Sequence, residues 1–400
     1  MSRQVSAGIG ALAGLVAALT LVNVAAVVWL PPEPHNTPTI FQAVVIFVAD
    51  IPLFGLWLVL FGLAWHTPER AETLLAGRWV LPWVGLVIWA AVSALWAPAP
   101  VLALWGAFHL LLGLCLALVI ANGPPSIRRA ILWGLVLGGT LQATVALGQI
   151  VTNAPLGLYA LGEPRFPYRN PAGIMRAYGL NSNPNQLAGY LVLTICASWA
   201  LWRETPRARG GLMAACGVML LGVVASGSRT AALGLAGGLA TVAPPGVGLL
   251  ALGLGGALVL ARALLWDPAG DPWGEIVNRL TFAYADTWTI IRAHPLLGAG
   301  MGGLILAIGM LYAPNTYILP AHNAVLIGWA ELGLPGLGLL AWGYGAALWQ
   351  ARPPWRAAWV ALGIIFCFDF YLWSDTHMRT LGCIALGCLW APPADERPAS

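Results

Sequence analysis

Long apolar stretches alternate along this chain with short polar segments. A helix of about 20 apolar residues crosses ~30 Å of hydrocarbon, so each stretch predicts a membrane span. The predicted spans cover residues 5–30, 41–65, 79–97, 102–121, 128–150, 184–202, 211–227, 230–243, 246–264, 321–350, 357–373 and 380–391. The pattern predicts an all-α polytopic membrane protein with about 12 transmembrane helices, forming a single transmembrane domain over residues 1–400.

The composition agrees with this class. Hydrophobic residues make up 59% of the chain and charged residues only 8%, whereas soluble domains carry about 25% charged residues. The basic residues stand singly or in small groups between apolar spans, which argues against a nucleic-acid partner. Membrane lipids are therefore the first partners that the sequence predicts.

The arginines suggest an orientation. With a cytoplasmic N-terminus, most fall in inner loops and in a cytoplasmic tail at 392–400, as the positive-inside preference requires. Most of the others lie in or beside two long outer loops, 151–183 and 265–320. Charge placed against that preference indicates function. Apolar positions at helical spacing between 275 and 294 also predict an amphipathic helix on the membrane surface in the second loop.

The first loop ends in a candidate anion site. Arg176 precedes the sequence Asn183-Pro184-Asn185, which opens the sixth predicted span. Pro suits the first turn of a helix and Asn183 could cap it, so an ordinary helix start is one interpretation. The other is a phosphate site, in which the helix N-terminus and the guanidinium act together.

Two further arginines are weaker candidates. Arg279 lies on the predicted surface helix, where it could bind an anion or simply pair with Glu275 one turn earlier. Arg229, in SGSRTA, could assist at the same face or anchor a short helix at the membrane boundary.

A histidine opens the tenth predicted span. His322 and Asn323 stand at its outer end, and Glu331 follows within the apolar run. A histidine facing the same compartment as several arginines is a candidate general base, although an interfacial histidine is the commoner case. Glu331 is an intramembrane carboxyl group and hence a candidate functional or packing residue, as are Asp50 and Asp369.

The sequence does not support a dinucleotide site or a metal site. GAGMGG at 298–303 has the dinucleotide spacing, but no strand precedes it, and glycines that end the surface helix are the better interpretation. The cysteines lie in apolar stretches without metal-ligand spacing, so a metal or disulfide framework is not expected. With the dinucleotide site also set aside, no cofactor is predicted. A transferase on the outer face would need a donor that is already activated and bound to a lipid.

Four segments, taken in order, resemble the O-antigen ligase and polymerase superfamily. They are RAYGLNSNPNQLAGYL, SGSRTA, HPLLGAG and HNAVLIGWAELGLPGLG, within residues 176–340. The resemblance implies a GT-C-type glycosyltransferase in the bacterial inner (cytoplasmic) membrane, with its active site facing the periplasm. The implied donor is an undecaprenyl diphosphate-linked glycan, and the implied acceptor is a lipid A-core sugar.

The resemblance also implies residue roles. His322 would be the general base of a metal-independent, inverting transfer, while Arg176 and Arg279 would bind the diphosphate. The supporting residues would be Asn183, Asn185, Arg229, Asn323 and Glu331. Three alternatives to an O-antigen ligase stay open: a surface polysaccharide polymerase, a protein O-oligosaccharyltransferase, and a lipid-linked glycan flippase or secondary transporter with intramembrane acids as coupling sites.

Overall fold

A computed structural model describes residues 3–391 except 33, 67–77, 171–172, 267–282 and 314–315. The chain is mostly helical, at 72%. The helices are α1 Arg3–Leu19, α2 Asp50–His66, α3 Leu81–Val92, α4 Pro100–Asn122, α5 Pro125–Thr152, α6 Pro184–Glu204, α7 Arg209–Ser226, α8 Arg229–Ala240, α9 Pro245–Trp266, α10 Ala285–Ala293, α11 Leu304–Gly309, α12 Ala324–Gln350, α13 Trp355–Phe368, α14 Tyr371–Ser374 and α15 Thr376–Trp390. Short 3₁₀ turns cover Thr39–Phe41, Arg78–Val80, Ser93–Leu95, Tyr159–Leu161 and Pro206–Ala208.

The expected number of membrane spans is wrong. Every predicted span overlaps a helix, but within the described residues only four helices are long and apolar enough to cross a membrane. They are Pro100–Asn122, Pro125–Thr152, Pro206–Ser226 and Ala324–Gln350. Other helices are shorter, such as the 12 residues of α3, which rise only about 18 Å. An all-α membrane protein remains compatible with this architecture, but twelve spans do not.

A small antiparallel sheet interrupts the first two predicted spans. Strand β1, Ala25–Trp29, pairs with β2, Val44–Phe47. Both strands are rich in β-branched and aromatic residues, which favour strands over helices. Pro31 and Pro32 follow β1 and prevent a helix from continuing. The chain is therefore not purely helical, and the first helix ends at Leu19 rather than near residue 30.

The bundle is close-packed where small residues meet. A Cβ built at Gly134 of α5 would lie 2.2 Å from the carbonyl oxygen of Gly14 in α1, so the two backbones touch. Tyr190 of α6 is completely buried and donates a hydrogen bond to the carbonyl of Ala17 at 2.8 Å. Glycine contacts of this kind are typical of membrane helix pairs. Here the glycine contact packs α5 against α1, and the Tyr190 hydrogen bond holds the N-terminal part of α6 against α1.

A glycine-rich turn interlocks with a kink in α12. Helix α10 ends at Ala293, before Pro295, so the glycines do not themselves end it as expected. Gly298, Gly300 and Gly302 then adopt positive φ and turn the chain. Gly333 within α12 also has positive φ, at 63°. Backbone N–H groups of Ala299, Gly300 and Leu334 donate hydrogen bonds across the contact, at 2.8, 2.8 and 3.1 Å.

Candidate active site

Arg176 is fixed between two helix ends. Its Nε donates a hydrogen bond to the carbonyl oxygen of Ser226, the last residue of α7, at 2.7 Å. Its Nη2 donates to Oδ1 of Asn185 in the first turn of α6, also at 2.7 Å. The side chain is half-buried. Since two helices hold the guanidinium, its position does not depend on a flexible loop.

The Asn-Pro-Asn segment forms the predicted cap of α6. Oδ1 of Asn183 accepts a hydrogen bond from the backbone N–H of Asn185 at 2.9 Å, and Pro184 occupies the first turn. The ordinary helix-start interpretation is thus confirmed. This role as a cap is compatible with the anion-site interpretation. Arg176 lies beside the same turn, and the helix N-terminus carries partial positive charge.

Asp369 connects α6 to α12. Nδ2 of Asn185 donates to Oδ2 of Asp369 at 2.9 Å. The backbone carbonyl of Asp369 in turn accepts a hydrogen bond from the N–H of Ala324, the first residue of α12, at 3.0 Å. Asp369 is buried. One asparagine therefore joins the arginine to the segment that follows His322.

His322 lies in the turn before α12 and is half-buried. Its ring meets the ring of Phe370 edge-on, with 4.9 Å between the centroids. Its backbone carbonyl accepts a hydrogen bond from Oη of Tyr284 at 2.9 Å. Asn323 caps α12, since its Oδ1 accepts from the N–H of Leu326 at 3.0 Å. The histidine is thus held by an aromatic neighbour and by its own backbone.

Several candidate residues come together here. Asp369 contacts Asn185 with its side chain and Ala324 with its backbone, and the next residue, Phe370, contacts His322. Arg176 and His322 are therefore joined through a short run of direct contacts. Two helix N-termini, a guanidinium and an imidazole in one place can bind an anionic group and accept a proton beside it.

Of the other two candidate arginines, Arg229 lies within the described residues and Arg279 does not. Arg229 is the first residue of α8 and follows Ser226, the last residue of α7 and the partner of Arg176, by three residues. It therefore lies at the margin of the same cluster. Arg279 falls between 267 and 282, outside the described residues, so its proposed role stays a prediction, as does the first part of the surface helix.

Glu331 lies apart from His322. It is buried nearly two turns into α12, where Oε2 accepts a hydrogen bond from Nε1 of Trp373 at 2.8 Å. Its backbone carbonyl also accepts a hydrogen bond from the N–H of Gly300 at 2.8 Å. Glu331 thus fastens the glycine-rich turn to α12. Its proposed supporting role stays a prediction, and these contacts favour a packing role.

A large apolar cavity extends along α12. It has a volume of about 510 Å³, and the residues of α12 that line it are Val325 before the kink and five residues from Leu337 to Leu348 after it. Its walls are formed by α3, α4, α13 and α15 and are almost wholly apolar; Arg379 is the charged residue among those that line it. An apolar cavity of this kind favours hydrocarbon over water.

The loop before α6 is rigid. Oε1 of Gln149 accepts hydrogen bonds from the N–H groups of Tyr178 and Gly179, both at 2.9 Å. Oη of Tyr178 accepts a hydrogen bond from the N–H of Tyr168 at 3.0 Å. Burial raises the pKa of Tyr178 above its ordinary value, so the phenol stays neutral. These contacts fix the backbone two residues after Arg176.

Sequence reasoning did not identify every residue of the cluster. Asp369 stood out only as an intramembrane acid, and Tyr284 only as one position of a helical pattern. Nothing in the sequence marked Phe370 as a candidate site residue, because a phenylalanine inside an apolar stretch is the normal case. Their roles depend on contacts between segments far apart in the chain, which periodicity does not reveal.

In the described part of the chain, no group of three or more His, Cys, Asp or Glu side chains could hold a metal ion. No protein-family model matches this chain, and no characterised protein matches it in sequence.

Proposed function

We propose that this chain is an O-antigen ligase-type glycosyltransferase. It transfers a glycan from undecaprenyl diphosphate to a sugar hydroxyl of lipid A-core at the periplasmic face of the bacterial inner membrane. The observation that carries the proposal is the run of contacts from Arg176 through Asn185 and Asp369 to the start of α12, beside His322. This run unites two sequence segments on which the family resemblance rests.

Arg176 binds the diphosphate of the donor. Its charge and the N-terminus of α6 both attract phosphate oxygens. Negative charge on the diphosphate grows as the glycosidic bond breaks, so a fixed guanidinium stabilises the transition state more than the bound donor. Arg229 adds positive charge at the margin, and Arg279 is the proposed second diphosphate ligand.

His322 is the general base. The acceptor hydroxyl oxygen attacks the anomeric carbon, His322 takes its proton, and the diphosphate leaves with the electron pair of the broken C–O bond. Direct displacement inverts the anomeric centre. The transfer uses no metal or other cofactor: proton acceptance by a positioned side chain contributes ~10²- to 10⁴-fold in rate, and the arginines stabilise the leaving group.

The apolar cavity supports a lipid-linked donor. Val325, which lines it, follows His322 by three residues, and residues of α12 from Leu337 to Leu348 line it as well. A polyprenyl chain there would leave its diphosphate near the polar cluster. Asn183 and Asn323 cap the two helices, and Asn185 bridges Arg176 and Asp369, so the three asparagines hold that cluster in shape.

The decisive experiment supplies the purified protein in detergent with an undecaprenyl diphosphate-linked glycan and EDTA. One reaction receives lipid A-core, a second only more of the carrier-linked glycan, and a third a protein acceptor. His322→Ala is the inactive variant. His294→Ala is the matched control, because His294 is exposed.

Each result has a defined meaning. Glycosylated lipid A-core that disappears with His322→Ala supports the ligase. Longer carrier-linked glycan would identify a polymerase, and a glycosylated protein would identify an O-oligosaccharyltransferase. Absence of transfer in all three reactions would contradict the proposal and favour a flippase or secondary transporter, to be measured as glycan-lipid movement in vesicles.

A further inference from the structure

The first loop presents apolar and aromatic side chains to its surroundings. Five such residues between 156 and 168 are exposed: Leu156, Tyr159, Leu161, Phe166 and Tyr168. Phe166 is the extreme case, with 94% of its surface exposed. An apolar cluster of this kind marks an interaction surface.

The loop is held rigidly around one buried carboxylate. Oε1 of Glu163 accepts hydrogen bonds from the N–H of Leu156 and from Nε2 of Gln149, both at 2.7 Å. Oε2 accepts from the N–H of Leu158 at 2.6 Å. Glu163 is only 4% exposed. The exposed apolar residues are therefore part of an ordered surface rather than of a mobile segment.

The charge of this surface is positive. Glu163 is the only acidic residue between 153 and 169, and it is buried. Arg165 is exposed, with its guanidinium carbon 5.7 Å from the ring centroid of Tyr159. Arg169 has a structural role, because it donates to the carbonyls of Asn153 and Gly173 at 2.7 and 2.8 Å. Arg165 is thus the cation that this surface offers to a partner.

The location of the loop indicates the partner. It follows directly after Thr152, the last residue of α5, which is one of the four helices able to cross a membrane. The loop therefore begins where such a helix leaves the hydrocarbon. Tyrosine and other aromatic residues concentrate at this level, and arginines there attract anionic lipid phosphates.

We propose that the surface formed by Tyr159, Leu161, Arg165, Phe166 and Tyr168 docks onto the headgroups of anionic phospholipids. The aromatic side chains enter the boundary between headgroups and acyl chains, and Arg165 binds a lipid phosphate. This lipid surface anchors the loop that carries Arg176. The inference goes beyond glycosyl transfer and does not depend on it.

The test places p-benzoylphenylalanine at position 166 of the full chain in nanodiscs of equal parts phosphatidylcholine and phosphatidylglycerol. After irradiation, mass spectrometry identifies the molecules attached at that position. We expect lipid adducts, with phosphatidylglycerol preferred about three- to fivefold. Position 166 is almost fully exposed, so the substitution should leave the protein folded. Size-exclusion chromatography before irradiation checks this for each variant.

A charge series completes the test. Arg165→Gln should reduce the preference for phosphatidylglycerol to about one, whereas Arg165→Lys should retain most of it. Arg207→Gln is the matched control, because Arg207 is exposed but lies beyond the far end of α6, and it should change nothing. Adducts only to protein, no adducts, or a preference unaffected by Arg165→Gln would overturn the proposal.

Discussion

Arg176 and Asn185 are joined by a hydrogen bond of 2.7 Å from Nη2 to Oδ1. Asn185 uses its other amide atom, Nδ2, to donate to Asp369 at 2.9 Å. The neutral amide of Asn185 thus accepts a hydrogen bond from the guanidinium with its oxygen and donates one to the carboxylate with its nitrogen. This arrangement, together with the hydrogen bond from Nε to Ser226, keeps the arginine oriented.

Asn185→Ala should weaken transfer while leaving the protein folded. Loss of the amide leaves polar groups of Arg176 and Asp369 without that partner, at a cost of about 1–3 kcal/mol. If the misplaced arginine stabilises the transition state less by this amount, kcat/KM for the lipid-linked donor should fall about 5- to 150-fold. Steady-state kinetics in detergent measure it.

Ser182→Ala is the control for that substitution, because Ser182 is exposed and lies three residues away in the same segment. It should retain full activity. An Asn185→Ala enzyme with an unchanged kcat/KM would show that the bridge does not orient Arg176 for catalysis.

His322→Ala and Arg176→Gln should fail in different ways. Without the base, kcat should fall by ~10²- to 10⁴-fold while donor binding is preserved. Without the guanidinium, affinity for undecaprenyl diphosphate should also fall, because its phosphate loses a charged partner. Binding isotherms for undecaprenyl diphosphate, measured beside kcat, separate the two roles. Equal loss of donor affinity in both variants would contradict the assignment of His322 as base.

Gly333→Ala should destabilise the fold. Its φ of 63° and ψ of −166° lie in a region that is essentially restricted to glycine, so an L side chain there costs about 1–3 kcal/mol. A Cβ would also lie 2.0 Å from the carbonyl oxygen of Leu296. We expect a lower Tm in detergent, measured by intrinsic fluorescence during heating.

Gly338→Ala in the same helix is the matched control. Nothing lies within 4 Å of a Cβ built at Gly338, and alanine is favoured over glycine in a helix by about 0.5–1 kcal/mol. Its Tm should stay the same or rise. A Gly333→Ala protein as stable as this control would mean that the kink is not required.

Glu163→Ala should loosen the first loop without unfolding the helices. Three hydrogen-bond donors would lose their acceptor, at about 1–3 kcal/mol for each buried donor left unsatisfied. Trypsin should then cut after Arg165 and Arg169 at least ten times faster than in the native protein. Glu163→Gln, which keeps one carbonyl acceptor, should be intermediate. Equal cleavage rates for all three proteins would show that Glu163 does not organise the loop.

The local features of this fold were largely predictable. The Asn183 cap, the glycine-rich turn after α10 and the helices at the apolar stretches follow from local preferences along the chain. The sheet was missed because AAVVW and VVIF are as apolar as any span. The number of spans was too high because hydropathy alone does not determine where a helix stops within an apolar run.

The site was predictable only in part. Arg176 and His322 stood out because charged or titratable residues are rare in this chain. Asp369, which links them, depends on the packing of α6 against the end of α13, and no local pattern encodes that contact. The position of Glu331 likewise became clear only once the glycine-rich turn was seen to fold back on α12.

The contact between the glycine-rich turn and the kink has a consequence for exchange of backbone amides with solvent. The amides of Ala299 and Gly300 belong to no helix, yet they donate to carbonyls of Ala330 and Glu331 in α12. They should therefore exchange deuterium as slowly as the neighbouring helical amides, although an irregular turn normally exchanges fast. Residues 295–303 and 330–334 should open together, as one cooperative unit.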